Sequence, residues 1–180
     1  MHSHATDRSS ATPDVLRGIT LRVVDVFHTG DSLSPTILRV VLAAVLFPHG
    51  AQHLLGWFGG YGFGGTYQWI TGLGFPGPLA AAAIVTEFLA PLALAAGIAT
   101  RAAAAGVIGL MVGAASVHVR HGFFMNWFGR LPAGDEGFEY HLLMATMALA
   151  LAIAGAGRWS LDRMLADRLN GIGEGIERHG

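Results

Sequence analysis

Hydrophobic residues dominate four stretches of the chain, at about residues 35–56, 78–98, 101–119 and 139–156. Each comes near the roughly 20 residues that a helix needs to cross a bilayer. Between residues 40 and 119 the only formally charged side chains are Glu87 and Arg101. A water-soluble domain carries about 25% charged residues spread along its length. The pattern therefore predicts an all-α integral membrane protein, an antiparallel four-helix bundle with short interfacial helices. Gly97-Ile-Ala-Thr-Arg101 is too short for anything but a tight turn, so spans two and three form a hairpin. Gly97 suits the end of one helix and Thr100 the cap of the next.

The flanking segments are amphipathic rather than apolar. Val15, Leu16, Ile19, Val23, Val26 and Phe27 share one side of a helix, with Asp14, Arg17, Arg22 and Asp25 on the other. Such a helix lies on a membrane surface. Residues 66–73 form a second short interfacial helix. After the last span Ser160 caps a third, with Leu161, Met164, Leu165 and Leu169 inward. The domain reading is 1–34 as an N-terminal segment, 35–158 as the membrane bundle and 159–180 as a tail.

Against this apolar background a few polar residues stand out. His49, Gln52 and His53 fall three and four residues apart and so share one side of span one. Glu87 lies ten residues into span two, roughly 15 Å along its axis at 1.5 Å per residue. A carboxylate at that depth is expected to be protonated or paired with a histidine or arginine. Pro91 follows it by four residues and deprives the Glu87 carbonyl of its helical donor. Alternating span directions bring His49, Gln52, His53, His118, Glu139 and His141 to one end of the bundle. His121 lies just beyond, as a hydrated interface residue.

Two connections at that end, Trp57-Phe-Gly-Gly-Tyr-Gly-Phe-Gly-Gly-Thr66 and Gly122-Phe-Phe-Met-Asn-Trp-Phe-Gly129, are rich in aromatics. Trp57 and Phe124 are therefore candidates to cover a polar pocket. An ordinary aromatic belt at headgroup level is the alternative.

Composition narrows the chemistry. The chain has no cysteine, which excludes thiolate zinc sites, iron–sulfur clusters and covalent haem attachment through it. Net charge is −1 and every basic residue is arginine, so charge offers no argument for nucleic acid. His49 and His53 at i and i+4 fit one face of a metal site but lack a carboxylate at the right spacing, and no metal ligand is assigned. Arg8, Arg17, Arg22 and Arg39 precede or begin span one, Arg101 sits in the tight turn, and Arg158, Arg163 and Arg168 follow span four. By the positive-inside rule this places both termini and the tight turn in the cytoplasm.

The segments His49-Gly-Ala-Gln-His-Leu-Leu-Gly56, Phe58-Gly-Gly-Tyr-Gly, Leu73-Gly-Phe-Pro76, Glu87, Gly97-Ile-Ala-Thr-Arg101, His118 with Gly122-Phe-Phe, Gly137-Phe-Glu-Tyr140 and Gly155-Ala-Gly-Arg-Trp-Ser-Leu-Asp162 follow one another in an order and spacing that resembles the DoxX family of small four-span bacterial membrane proteins. The resemblance covers about residues 35–162. In one place it departs: the family commonly has lysine where this chain has His53, which exchanges a permanent cation for a titratable group. The resemblance implies a module of the bacterial inner membrane, linked to quinone-coupled sulfur oxidation and membrane oxidoreductase complexes.

The functional expectation is a quinone-interacting subunit of a membrane oxidoreductase system. Glu87, His49 and His118 would handle protons or hydrogen-bond the quinone oxygens. Gln52, His53 and Glu139 would orient them, with Trp57 and Phe124 shielding the ring. Its partners would be membrane lipids and a redox partner subunit, with a homo-oligomer open. Two rivals stand beside it: a non-catalytic module that binds a lipid or partner protein, and a metal or haem protein.

Overall fold

The computed structural model describes residues 29–132 and 134–177, with side chains to residue 171. The amphipathic helix expected over 15–27 lies outside the described residues. Six α-helices follow in chain order: α1 (Leu33–Leu55), α2 (Gly62–Gly72), α3 (Gly77–Ala96), α4 (Thr100–His118), α5 (Glu139–Ala154) and α6 (Leu161–Glu177). No strand occurs among the described residues. Helices α1, α3, α4 and α5 form the bundle, in which α1 packs on α3, α3 on α4, α4 on α5 and α5 back on α1. Helix α2 folds over one end, against α1 and α3. That end, where the 57–76 and 119–138 connections lie, is called the loop end here. The opposite one, with the start of α1, the α3–α4 turn and the end of α5, is the terminal end.

The core follows from small and branched residues at helical spacing. Leu42 and Leu46 of α1, Leu94 of α3, Val107 of α4 and Leu151 of α5 are fully buried, with Ala104 and Ala148 between them. The outer faces are just as apolar: Ile37, Leu89, Val112, Leu143 and Ile153 are all exposed. A bundle greasy both inside and outside needs hydrocarbon, not water, around it. Among the described residues three helices are long and apolar enough to cross a membrane, counting α4 with its 3-10 extension to His121. The fourth, α5, has 16 residues and spans roughly 24 Å, against a hydrocarbon core of about 30 Å. It stops two residues earlier than the pattern predicts because Gly155 leaves the helix at φ 78°, ψ −163°.

Helices α1 and α3 both run on through an internal proline, Pro48 and Pro91. The α3–α4 turn forms as expected at Gly97, which takes the left-handed conformation (φ 64°, ψ 42°) that glycine adopts without strain. Thr100 does not cap α4: its hydroxyl is buried without a hydrogen-bond partner. The cap comes instead from Asp162 in α6, whose two carboxylate oxygens accept from the backbone N–H groups of Ala99 (2.7 Å) and Thr100 (2.9 Å). A residue 62 positions away thus satisfies the orphan donors of the helix start. Replacing Asp162 by alanine is expected to lower stability by about 2 kcal/mol. A fall in the thermal midpoint of the purified protein would register it; an unchanged midpoint would show that water caps α4 equally well.

The same bond turns α6 opposite to expectation. Ser160 does cap it, accepting from Arg163 N–H at 3.3 Å. But Asp162 and Ala166 face the bundle, while Leu161, Met164 and Leu165 are exposed. The inward face was chosen by a carboxylate seeking N–H donors, not by the leucine stripe.

The terminal end also holds a buried polar network around an arginine, where the sequence offered only flanking positive charge. Arg39 is 3% exposed. Its guanidinium donates to the carbonyls of Leu94, Ala95, Ala156, Arg158 and Trp159, at 2.6–3.4 Å. These groups lie at or beyond the C-terminal ends of α3 and α5, where helices leave carbonyls without donors. The Thr36 hydroxyl donates to the Arg158 carbonyl at 2.6 Å, and Arg158 and Arg163 pair with Asp31. Arg101 adds bonds to the carbonyls of Ala152 and Ile153.

Candidate functional site

At the loop end the helices enclose a cavity of about 620 Å3. Most of its wall is apolar, with Leu46, Ile70, Leu73, Phe75, Leu79 and Val117 among the lining residues. Its polar groups come from four helices, beginning with His49 and His53 from α1, Thr86 and Glu87 from α3 and His118 at the end of α4. Tyr140 and His141 join them from α5. Size and lining are those of a small-molecule site, apolar with a few placed polar groups.

Glu87 and His53 form the closest contact there, with Nδ1 of His53 2.5 Å from Oε2 of Glu87. The deep carboxylate has found a histidine partner, as its depth demands. Local packing sets this pair. Gly50, one turn before His53, lies against the backbone of α3: a Cβ there would sit 2.3 Å from the Glu87 carbonyl oxygen and 2.7 Å from Phe88 Cα. That carbonyl is the one Pro91 leaves without a helical donor. Glycine on α1 and proline on α3 together let the two backbones approach at the level of the acid.

The second polar group is aromatic. The rings of His118 and His141 stack, with centroids 4.7 Å apart. His118 donates from Nδ1 to the carbonyl of Glu136 at 2.7 Å, so in its neutral form Nε2 is left as an acceptor. Tyr140 stands edge-on to His141 at 5.6 Å and 6.4 Å from His49. Tyr140 Oη and His141 Nδ1 are buried and have no hydrogen-bond partner. A buried polar atom without a partner costs about 1–3 kcal/mol, so two of them in one cavity wall call for a ligand or water.

The cavity therefore brings together His49, His53, Glu87, His118 and His141 of the predicted residues, but not Gln52, Glu139, Trp57 or Phe124. Gln52 donates instead to the Phe58 carbonyl at 3.2 Å and holds the turn after α1. Glu139 accepts from Met125 N–H (3.2 Å) and Trp127 Nε1 (3.3 Å) and pins the 123–127 loop. Trp57 is exposed and packs edge-on with Phe58. Phe124 is 73% exposed and lines a separate, smaller pocket of about 270 Å3 in the 121–131 loop. The aromatic cover over the cavity comes from Trp69 and Phe75, with Met125. His121 lies outside the cavity lining but is more buried than a hydrated interface residue would be, its side chain 15% exposed and 3.3 Å from Asp135. Among the described residues no three histidine, aspartate or glutamate side chains converge as metal ligands would.

Tyr140 is the main residue the sequence reading passed over. A hydroxyl between Glu139 and His141 at the start of an apolar span was the available signal.

An all-helical membrane bundle with a polar-lined cavity between its helices is the class of protein that fold and site define. The chain belongs to the DoxX family, whose model matches residues 34–127. The matched segment contains His49, His53, Glu87 and His118 and stops before α5, which supplies Tyr140 and His141. No curated protein and no solved structure matches the chain.

Proposed function

We propose that the protein is a quinone-interacting subunit of an oxidoreductase system in the bacterial inner membrane. The observation that carries this reading is the His53–Glu87 contact inside an otherwise apolar cavity that also holds Tyr140, His118 and His141. Two separate polar groups within one greasy wall suit a flat ring with an oxygen at each end. The orphaned Tyr140 Oη is a donor for such an oxygen.

A quinone takes up two electrons and two protons on becoming a quinol, and gives them back in reverse. This chain has no cysteine for an iron–sulfur cluster, and in this reading a partner subunit supplies and takes the electrons. The protons fall to its own residues. The hydrogen bond between His53 and Glu87, 2.5 Å long, places a proton donor where it can serve an oxygen beside them. His118, held through Nδ1, offers Nε2 on the other side. Histidine suits such exchange because its ordinary pKa lies near physiological pH. The arginines Arg101, Arg158, Arg163 and Arg168 gather at the terminal end. That bias supports cytoplasmic termini and a cavity in the outer half of the membrane.

Protein purified from its membrane is expected to retain or bind a quinone. Glu87→Gln and His118→Ala should each weaken binding by about tenfold, the value of one lost charge-assisted hydrogen bond. Unchanged affinity in both variants would remove the reading. It would leave the cavity as a site for a lipid or a partner segment.

A further inference from the structure

We infer that the ligand of this cavity is a tailed amphiphile that enters sideways from the hydrocarbon between α3 and α4, with its head on Tyr140 and His141 and its tail along Gly109 and Gly113. This inference rests on the reading of the cavity as a quinone site and adds the shape and route of its ligand.

Helices α3 and α4 are joined at the terminal end and stay in contact as far as Thr86 and Gly106. There a Cβ on Gly106 would stand 2.8 Å from Thr86 Cγ2, so the two helices are close and Thr86 would have to turn aside to admit a side chain. One and two turns nearer the loop end the situation reverses. A Cβ on Gly109 or Gly113 would meet no atom within 4 Å, yet both residues line the cavity. Glycine inside a helix is unfavourable relative to alanine, and here no neighbour demands it. What the two glycines keep is room. Across the gap α3 presents Leu79 and Ala82, which are exposed and also line the cavity. A gap between adjacent helices on the rim of a membrane bundle opens to lipid. The stretch from Gly106 to Gly113 offers roughly 10 Å of polar-free wall, which suits a hydrocarbon chain.

The other half of the ligand is indicated independently. Tyr140 Oη and His141 Nδ1, on α5 across the cavity, are buried without partners. A polar head between them would satisfy both, while the tail leaves toward α3 and α4. Gly109 and Gly113 also match the spacing by which membrane helices dimerise. Their place in the cavity wall argues for a ligand in preference to a second copy.

The test uses two probes on the full-length protein in lipid nanodiscs: a benzoquinone bearing a polyisoprenoid chain, and the same ring with methyl groups only. Gly113→Leu, and separately Gly109→Leu, should weaken the tailed probe by about tenfold and leave the ring within about twofold. Retained ring binding shows that the variants are folded. Tyr140→Phe should weaken both probes alike. Equal loss of both probes in the glycine variants, or no loss of either, would overturn the tail site while leaving the quinone reading intact. So would a shift from dimer to monomer in those variants with unchanged affinity for the tailed probe. A wild-type protein that binds neither probe would overturn both.

Discussion

Replacing Arg39 by alanine is expected to prevent the bundle from closing. The guanidinium bonds carbonyls at the ends of two helices and in the segment after α5; the bonds to Leu94 and Ala156 are buried and the other three are half-buried. A hydrogen bond to a charged group contributes about 1.5–3 kcal/mol, and the lost partner would leave the two buried acceptors unsatisfied. The net loss should be roughly 4 kcal/mol, a large fraction of the 5–15 kcal/mol that holds a typical domain. Arg39→Lys should restore little, because three donors on one nitrogen cannot reach acceptors spread around a planar fork. Recovery of monodisperse protein and its thermal midpoint would measure this. A well-behaved alanine variant with a midpoint near that of the wild type would refute the clamp.

The second large effect is expected at Gly50. Valine there would drive its Cβ into the Glu87 carbonyl and the α3 backbone, neither of which is a side chain free to swing aside. The helices must part or α1 must rotate. Overpacking of this kind costs about 3 kcal/mol. It also disturbs the one contact the proposed chemistry depends on, since His53 is carried on the next turn. Gly50→Val should therefore lose quinone binding as well as stability. Gly50→Ala, with the same first clash but less bulk, should fall between. Full stability in the valine variant would mean that the helices are less closely seated than the structure shows.

Much of this was legible in the sequence, for identifiable reasons. Apolar runs and the tight Gly97 turn defined the bundle, because backbone groups in hydrocarbon leave little choice but helix. His49, His53, Glu87 and His118 stood out because polar groups at membrane depth are costly. The faces were read less finely. Gln52 and His53 are adjacent, hence about 100° apart around α1, and the cavity takes the His53 side while Gln52 turns to the Phe58 carbonyl. Glu139 and Phe124 were drawn toward the site by their place at the loop end. Hydrogen bonds within their own loop hold Glu139, and nothing in a sequence reveals those. Arg39 was counted with the flanking positive charges because arginine near a helix start normally reaches water. Its acceptors come from segments remote in sequence, as does the Asp162 cap that turned the leucine face of α6 outward.

The Arg39 clamp bears on how the protein is made. Its carbonyl acceptors at Ala156 and Trp159 lie 117 and 120 residues further along the chain. During synthesis α1 reaches the membrane with its guanidinium unmatched, finds the Leu94 and Ala95 carbonyls once α3 is in place, and gains the rest of its partners only after α5. Closure of the clamp should then be the last step of biogenesis. A chain released before residue 156 carries an arginine with only part of its partners, however well its first helices have inserted.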